Sequence, residues 1–374
     1  MGRYPRERDR DPHSRSRPLL LIRTLSVLAL VVLLGAGAQP SLNVAAASQP
    51  PKPVTARWTQ ANVPGQLLSR SANRADAICD VVTDAADAGG FGKGFTPPDM
   101  DLSYLGAASS SMQALSAEVL PPVFDWRDRG GTSYVTPVKD QGSCGCCYAF
   151  AALANVESKV AIDGGPSQPD YAERHVRDCS WYALNGAPGW DACTGGNYMM
   201  VANHLATTGM VWESDAPYTA TLGTCPSGVP YQTTLVGWHL LSGPAPAPTA
   251  TLKQAIMDYG PVYSSIYAGD GRNPGWENAF QTYDGTGVLV FAGAPITTDH
   301  AVLIVGWDDA MPHAAGTGAW IAKNSWGTGW GDHGFFYLAY GPNDGYGAAG
   351  IGSYAAYMAD WQPYDAQGDL LAYD

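Results

Sequence analysis

Positive charge is scarce in this 374-residue chain just where the sequence looks most ordered. From Pro121 onward nine Lys and Arg stand against twenty-four Asp and Glu, a balance of 9 − 24 = −15. A surface of that sign repels nucleic acid and anionic membranes, so neither is an expected partner. Long apolar runs are missing beyond the first fifty residues, so no stable membrane insertion is expected. Cysteine is sparse too: the seven are Cys79, Cys144, Cys146, Cys147, Cys179, Cys193 and Cys225, with none after that. Between residues 48 and 120 helical or strand periodicity is nearly absent, which excludes a second well-packed domain there.

Seven arginines lie within residues 1–23, followed by the apolar run Leu25 to Leu34 and small residues ending Val44-Ala45-Ala46-Ala47. A basic start, an apolar core and an Ala-x-Ala end predict a signal peptide over 1–47, cleaved after Ala47, and a secreted product. The apolar run is short for a membrane span, and no Arg-Arg pair supports a twin-arginine route. An exported chain keeps disulfides, and an odd number of cysteines leaves at least one thiol free.

Residues 48–120 read as a pro-segment or linker. They hold Gln49-Pro50-Pro51-Lys52-Pro53, a short predicted helix around Arg74–Ala86, and Gly89-Gly90-Phe91-Gly92-Lys93-Gly94. Order is expected from Val123-Phe124-Asp125-Trp126-Arg127. Cys147 to Ile162 carries small and apolar residues on nearly every face until Glu157, which predicts a helix buried all round and ended by Gly164-Gly165-Pro166. Thr251 to Tyr259 predicts a further helix. Branched and aromatic residues between turn signals predict strands at Val262–Tyr267, Val288–Phe291, Ala301–Trp307, Ala319–Lys323 and Gly334–Ala339. Helices first and strands second make an α+β fold.

Three segments carry chemistry: Gln141-Gly142-Ser143-Cys144-Gly145-Cys146-Cys147-Tyr148, Asp299-His300-Ala301, and Lys323-Asn324-Ser325-Trp326-Gly327. A thiol becomes a strong nucleophile as thiolate, favoured by a helix N-terminus and a neighbouring cation. Cys147 opens the predicted helix, and His300 follows it by 153 residues. Together the segments resemble those of papain-like cysteine peptidases, in which Cys-Gly-Ser/Ala-Cys-Trp/Tyr is followed by His and Asn about 130–150 residues on. The resemblance covers about Pro121 to Tyr357. Here Cys146 replaces the small residue before the nucleophile. The long helical pro-region of many papain relatives is not visible.

The resemblance implies a papain-like two-lobed fold. A helical lobe with a central helix spans about 121–240, a β-barrel-like lobe spans about 241–345, a cleft lies between them, and 358–374 form a C-terminal extension. It implies that Cys147 attacks, that His300 carries the proton, that Asn324 orients the imidazole and that Gln141 donates to the oxyanion. Cys146 is the rival nucleophile, turned roughly 100° around the helix. For substrate binding the resemblance points to Gly195 and Gly196 as an edge for an added strand. It places Asn197, Tyr198, Ser265 and Ala301 around the main side-chain pocket, Tyr354 at its floor and Trp326 over the His–Asn bond. Cys193-Thr194-Gly195-Gly196 resembles the family's Cys-Asn-Gly-Gly, which implies Cys144–Cys193 and then Cys179–Cys225; sequence alone allows other pairings. The leftover Cys79 and Cys146 are either free or joined as a tether of the pro-segment.

The expected activity is a secreted endopeptidase working through a thioester, as a monomer, without metal or organic cofactor. Its expected partners are peptide or protein substrates and protein inhibitors of papain-like enzymes. An exopeptidase, a ligase, or an inactive binding homologue on the same scaffold are the alternatives.

Overall fold

The computed structural model describes residues 91–103, 105, 120–180, 192–293, 297–341 and 348–364. The expected signal peptide, the helix around Arg74–Ala86, Cys79 and residues 365–374 lie outside them. No helix of the described residues is long and apolar enough to cross a membrane.

The elements run β1 (Val123–Asp125), α1 (Cys147–Ile162), α2 (Glu173–Cys179), α3 (Tyr198–Thr207), β2 (Thr233–Leu240), α4 (Thr249–Tyr259), β3 (Val262–Ile266), α5 (Pro274–Gln281), β4 (His300–His313), β5 (Gly316–Lys323), β6 (Phe335–Ala339) and β7 (Ser353–Pro363). This is the α+β arrangement expected. α1 has the predicted bounds. Its small side chains let other elements approach on all sides, and it packs against β3, β4, β7, α2 and α3. Asp163 and Gly164, with Gly164 at φ +88°, end it.

The strands form one antiparallel sheet in the order β2-β7-β3-β4-β5-β6, with β1 added along β4. Among the described residues β2 and β6 stand at the two ends of this order. Val288–Phe291 was expected as a strand but contributes only a bridge of Leu289 to Leu338. Gly285 and Gly287 before it both sit at positive φ and turn the chain. Three strands were not anticipated: β1, and β2 and β7, which pair with each other. β7 runs on past Tyr357 to Pro363, into the stretch read as an extension, and β2 precedes residue 241, where the β-rich lobe was expected to begin.

α1 is pinned to the sheet by Asn155. Its Oδ1 accepts from the Tyr198 hydroxyl at 2.8 Å and from the Met358 N–H at 3.0 Å, while its Nδ2 donates to the Pro261 carbonyl at 2.6 Å. Buried amide bonds of this kind are costly to break, because each leaves an unpaired group behind. They tie the middle of α1 to the first residue of α3, to β7 and to the residue before β3.

Candidate active site

The loop into α1 is shaped by Gly142 and Gly145. Gly142, at φ +58°, donates its N–H to Asp140 Oδ1 at 2.8 Å. Gly145 donates to the Cys193 carbonyl at 2.8 Å, beside the Cys144–Cys193 disulfide of 2.02 Å. The second disulfide is Cys179–Cys225. Both match the pairing that the resemblance implied, and Cys146 and Cys147 are free.

Cys147 is the first residue of α1 and wholly buried. Burial pushes its thiol well up, against the pull of the Ala301 and Gly94 backbone N–H groups, which both face the sulfur. Cys146 is also buried, its thiol pushed up to about 12 chiefly by burial. Its sulfur turns elsewhere, to the Tyr218 hydroxyl at 3.0 Å.

His300 opens β4 directly before Ala301, so the strand that carries the imidazole also presents an N–H to the thiol. Its Nε2 lies 2.8 Å from Asn324 Oδ1, which as an acceptor selects the tautomer with hydrogen on Nε2. Nδ1 is buried and has no hydrogen-bond partner. Burial pushes the imidazole down to about 4; the Asn324 bond opposes this and the Lys93 charge adds to it. The Trp326 ring covers the pair, with its centroid 4.8 Å from that of His300.

Gln141 is fully buried and braced. Its Oε1 accepts from the Ser325 hydroxyl at 2.5 Å, its Nε2 donates to the Cys144 carbonyl at 2.7 Å, and its N–H donates to the Ser325 carbonyl at 2.9 Å. A buried ion network, unnoticed in the sequence, lies behind it. Lys139 Nζ meets Glu157 Oε1 at 3.0 Å and Glu173 Oε1 at 2.8 Å, and Lys323 Nζ reaches the Thr136 carbonyl at 2.8 Å. Thr136 in turn donates to Glu157 Oε2 at 2.6 Å. The network joins α1 to the segments that carry Gln141 and Asn324.

The largest departure from expectation is the occupant of the cleft. Residues 91–96 cross it, with Phe95 in an isolated bridge to Gly196. Phe91 stacks on Trp326, with centroids 4.6 Å apart. Gly92 donates to the Gly142 carbonyl at 3.0 Å and accepts from Trp326 Nε1 at 3.1 Å. Gly94 faces the thiol and accepts from the Gly196 N–H at 2.9 Å. Phe95 donates to the Asp299 carbonyl at 3.0 Å, and Thr96 donates to the Gly196 carbonyl at 2.9 Å. Thus the backbone of Gly196, expected to pair with substrate, pairs here with the chain's own upstream segment. The only sequence signal was the alternation of glycine in Gly90-Phe91-Gly92-Lys93-Gly94, which lets a backbone pass close to another.

The Phe95 ring shares one buried cluster with Cys147, Tyr198, Tyr263 and Ala301, and lies 5.2 Å from the Tyr354 ring. Asn197 caps α3 and donates its Nδ2 to the Thr96 carbonyl at 3.1 Å. Gly195 adopts φ +151°, and a Cβ there would collide with Thr96. Ser265 turns its hydroxyl to the Ser353 carbonyl at 3.0 Å, so that polar group is spent on β7. Tyr354 sits at φ +47°, a strained backbone for an aromatic residue.

The site thus holds a thiol at a helix N-terminus, an imidazole bonded to an amide and a braced glutamine. The sequence profile of the papain family cysteine proteases matches residues 120–359. The chain belongs to the papain family. It is 33% identical over 249 residues to a senescence-specific cysteine protease of Arabidopsis thaliana, covering 66% of this chain and 64% of that one. The chain spans less than two thirds of the length of the first curated papain-family relatives it matches. Among solved papain-family structures, bromelain from Ananas comosus in complex with the inhibitor E64 aligns with a TM-score of 0.52 at 30% identity, over 64% of this chain and 99% of that one. A digestive procathepsin L2 proteinase from Tenebrio molitor aligns at 0.54 and 31%, over 72% and 78%.

Proposed function

We propose that the protein is the latent form of a secreted papain-like endopeptidase, with Cys147 as nucleophile and residues 91–96 as the cover of its own cleft. One observation carries the reading. The Nε2 of His300 is bound to Asn324 at 2.8 Å and its Nδ1 is left free, on the strand whose next N–H faces the Cys147 sulfur. In that arrangement Nδ1 accepts the thiol proton. The thiolate attacks the scissile carbonyl, and Gln141 Nε2 and the Cys147 N–H receive the developing oxyanion. Nδ1–H then protonates the leaving amine, and water hydrolyses the thioester by the reverse proton path. Asn324 holds the ring orientation, and Trp326 keeps water from the bond between them.

Latency has an electrostatic side. With the segment in place the site is dry, so burial favours neutral thiol and neutral imidazole over the ion pair. Removing the cover admits water and a substrate, and relaxes both penalties toward thiolate and imidazolium. Export is supported by the basic and apolar N-terminal sequence and by the two disulfides.

The test is to incubate the secreted full-length protein and follow both hydrolysis of an internally quenched peptide and loss of the segment by N-terminal sequencing. Hydrolysis that appears as the segment is lost, and that is absent in Cys147→Ala, is the expected outcome. Full hydrolysis with residues 91–96 still attached and uncut overturns the latent form.

A further inference from the structure

Lys93 is the one charged residue of the segment crossing the cleft, and its ammonium enters a prepared site. Nζ lies 3.1 Å from Glu277 Oε1 and 3.9 Å from Asp299 Oδ2, and it donates to the Gly269 carbonyl. Both carboxylates are fixed by groups other than Lys93. Glu277 Oε2 accepts the Gly271 N–H at 2.8 Å, and its Oε1 accepts from Gln281 Nε2 at 3.2 Å. Asp299 Oδ1 accepts the Ala268 N–H at 2.6 Å. Gly269, at φ +128°, packs so tightly on Glu277 that a Cβ there would fall 2.5 Å from its Cγ. Asp270, the next acid along, is already paired with Arg272. When the segment leaves, the Glu277 carboxylate, a carbonyl oxygen and the Asp299 carboxyl, which burial pushes up to about 7 against the pull of Lys93, lose their cation. Lys93 and Glu277 are each 22% exposed, so the site is partly dehydrated and charge there counts for more than on an open surface.

The place of this site along the cleft gives it a role. Gly94, the next residue, faces the Cys147 sulfur, and Gly92, the previous one, is bound to Gly142 and Trp326. The Lys93 side chain therefore lies on the Trp326 side of the thiol, away from the strand-pairing edge at Gly196. His300, beneath Trp326, hands its proton to the leaving amine, so the departing half of a substrate lies on that side as well.

We infer that Glu277 and Asp299 form an acidic pocket for the first side chain of the leaving peptide, and that the active enzyme selects Lys or Arg there. The inference rests on the peptidase reading above and adds its substrate class. The segment fills this pocket with Lys93 as it fills the apolar one with Phe95.

The test uses the active form generated from the full-length precursor and a panel of internally quenched peptides that differ only at the first residue after the scissile bond: Lys, Arg, Ala or Glu. The Lys to Glu ratio of kcat/KM is expected to be about ten or more, the factor of a partly desolvated charge contact. Glu277→Gln lowers that ratio several-fold and Glu277→Lys inverts it. A ratio within one enzyme preparation is unaffected by loss of folded protein. A panel cut at equal rates by the unsubstituted enzyme overturns the inference and leaves the peptidase reading standing. Failure to cut any member, with the segment removed, overturns the peptidase reading and the inference together.

Discussion

Gly94 and Gly145 pass so close that a Cβ on Gly94 would lie 1.7 Å from the Gly145 carbonyl oxygen. Backbone meets backbone there, on the loop that positions the nucleophile, so neither side can yield by a rotamer change. Gly94→Ala is therefore expected to lift the segment from the thiol. Alkylation of Cys147 by iodoacetamide in the unprocessed protein is expected to speed up about ten-fold or more, the scale of a steric penalty of 1–3 kcal/mol. An unchanged alkylation rate counts against the segment as the cover.

The two neighbouring free thiols separate cleanly by mutation. Cys147→Ala is expected to abolish hydrolysis with the fold intact, since it removes only a small buried sulfur at the start of α1. Cys146→Ser is expected to keep most activity, because that sulfur bonds Tyr218 and not the imidazole. Peptide hydrolysis and far-ultraviolet circular dichroism on both variants check this. The reverse pattern makes Cys146 the nucleophile.

Asn324→Ala is expected to slow turnover less than His300→Ala. It takes away the 2.8 Å bond that orients the ring but leaves the proton carrier in place. Equal losses in kcat/KM, with folding intact, argue against that division of roles.

A pH effect on stability follows from His175 and His204, buried with their ring nitrogens 3.2 Å apart. Burial pushes His175 down to about 4, with Asp178 opposing, and burial with the His175 charge pushes His204 down to about 3. Both folded values lie below the unfolded value of about 6.5, so the unfolded chain takes up these protons first as pH falls. Stability is intact above pH ~6.5 and is lost on the way down to about 4 and about 3, by up to ~1.4 kcal/mol per pH unit for each imidazole. Urea midpoints at pH 7 and pH 4.5 measure the loss, and the double variant His175→Gln/His204→Gln is expected to lose less between the two. The same loss in both proteins assigns the acid sensitivity to other groups.

The bounds of α1 and the order of the site residues were legible in the sequence because each is a local matter. A run of small apolar residues closed by Gly164-Gly165 carries the pattern of a buried helix in its own sequence, and a glutamine, a thiol, an imidazole and an amide in the family's motifs keep their order on the chain. The strands at 262–266, 300–313, 316–323 and 335–339 announced themselves through branched and aromatic residues. β2 and β7 did not. β2 is interrupted by Gly237, where its register shifts, and β7 carries Ala355, Ala356, Ala359 and Asp360, all poor strand formers; each becomes a strand by pairing with the other across more than a hundred residues. Residues 91–96 were less legible still. A glycine-rich stretch has no preferred conformation of its own, and its path across the cleft comes from backbone bonds to Gly142, Gly196 and Asp299, which only the folded cleft brings within reach. Sequence by itself thus determined which groups are available for the chemistry, since their identity is covalent. Tertiary structure alone decided that the chain's own backbone lies over them, because that depends on surfaces distant in sequence meeting in space.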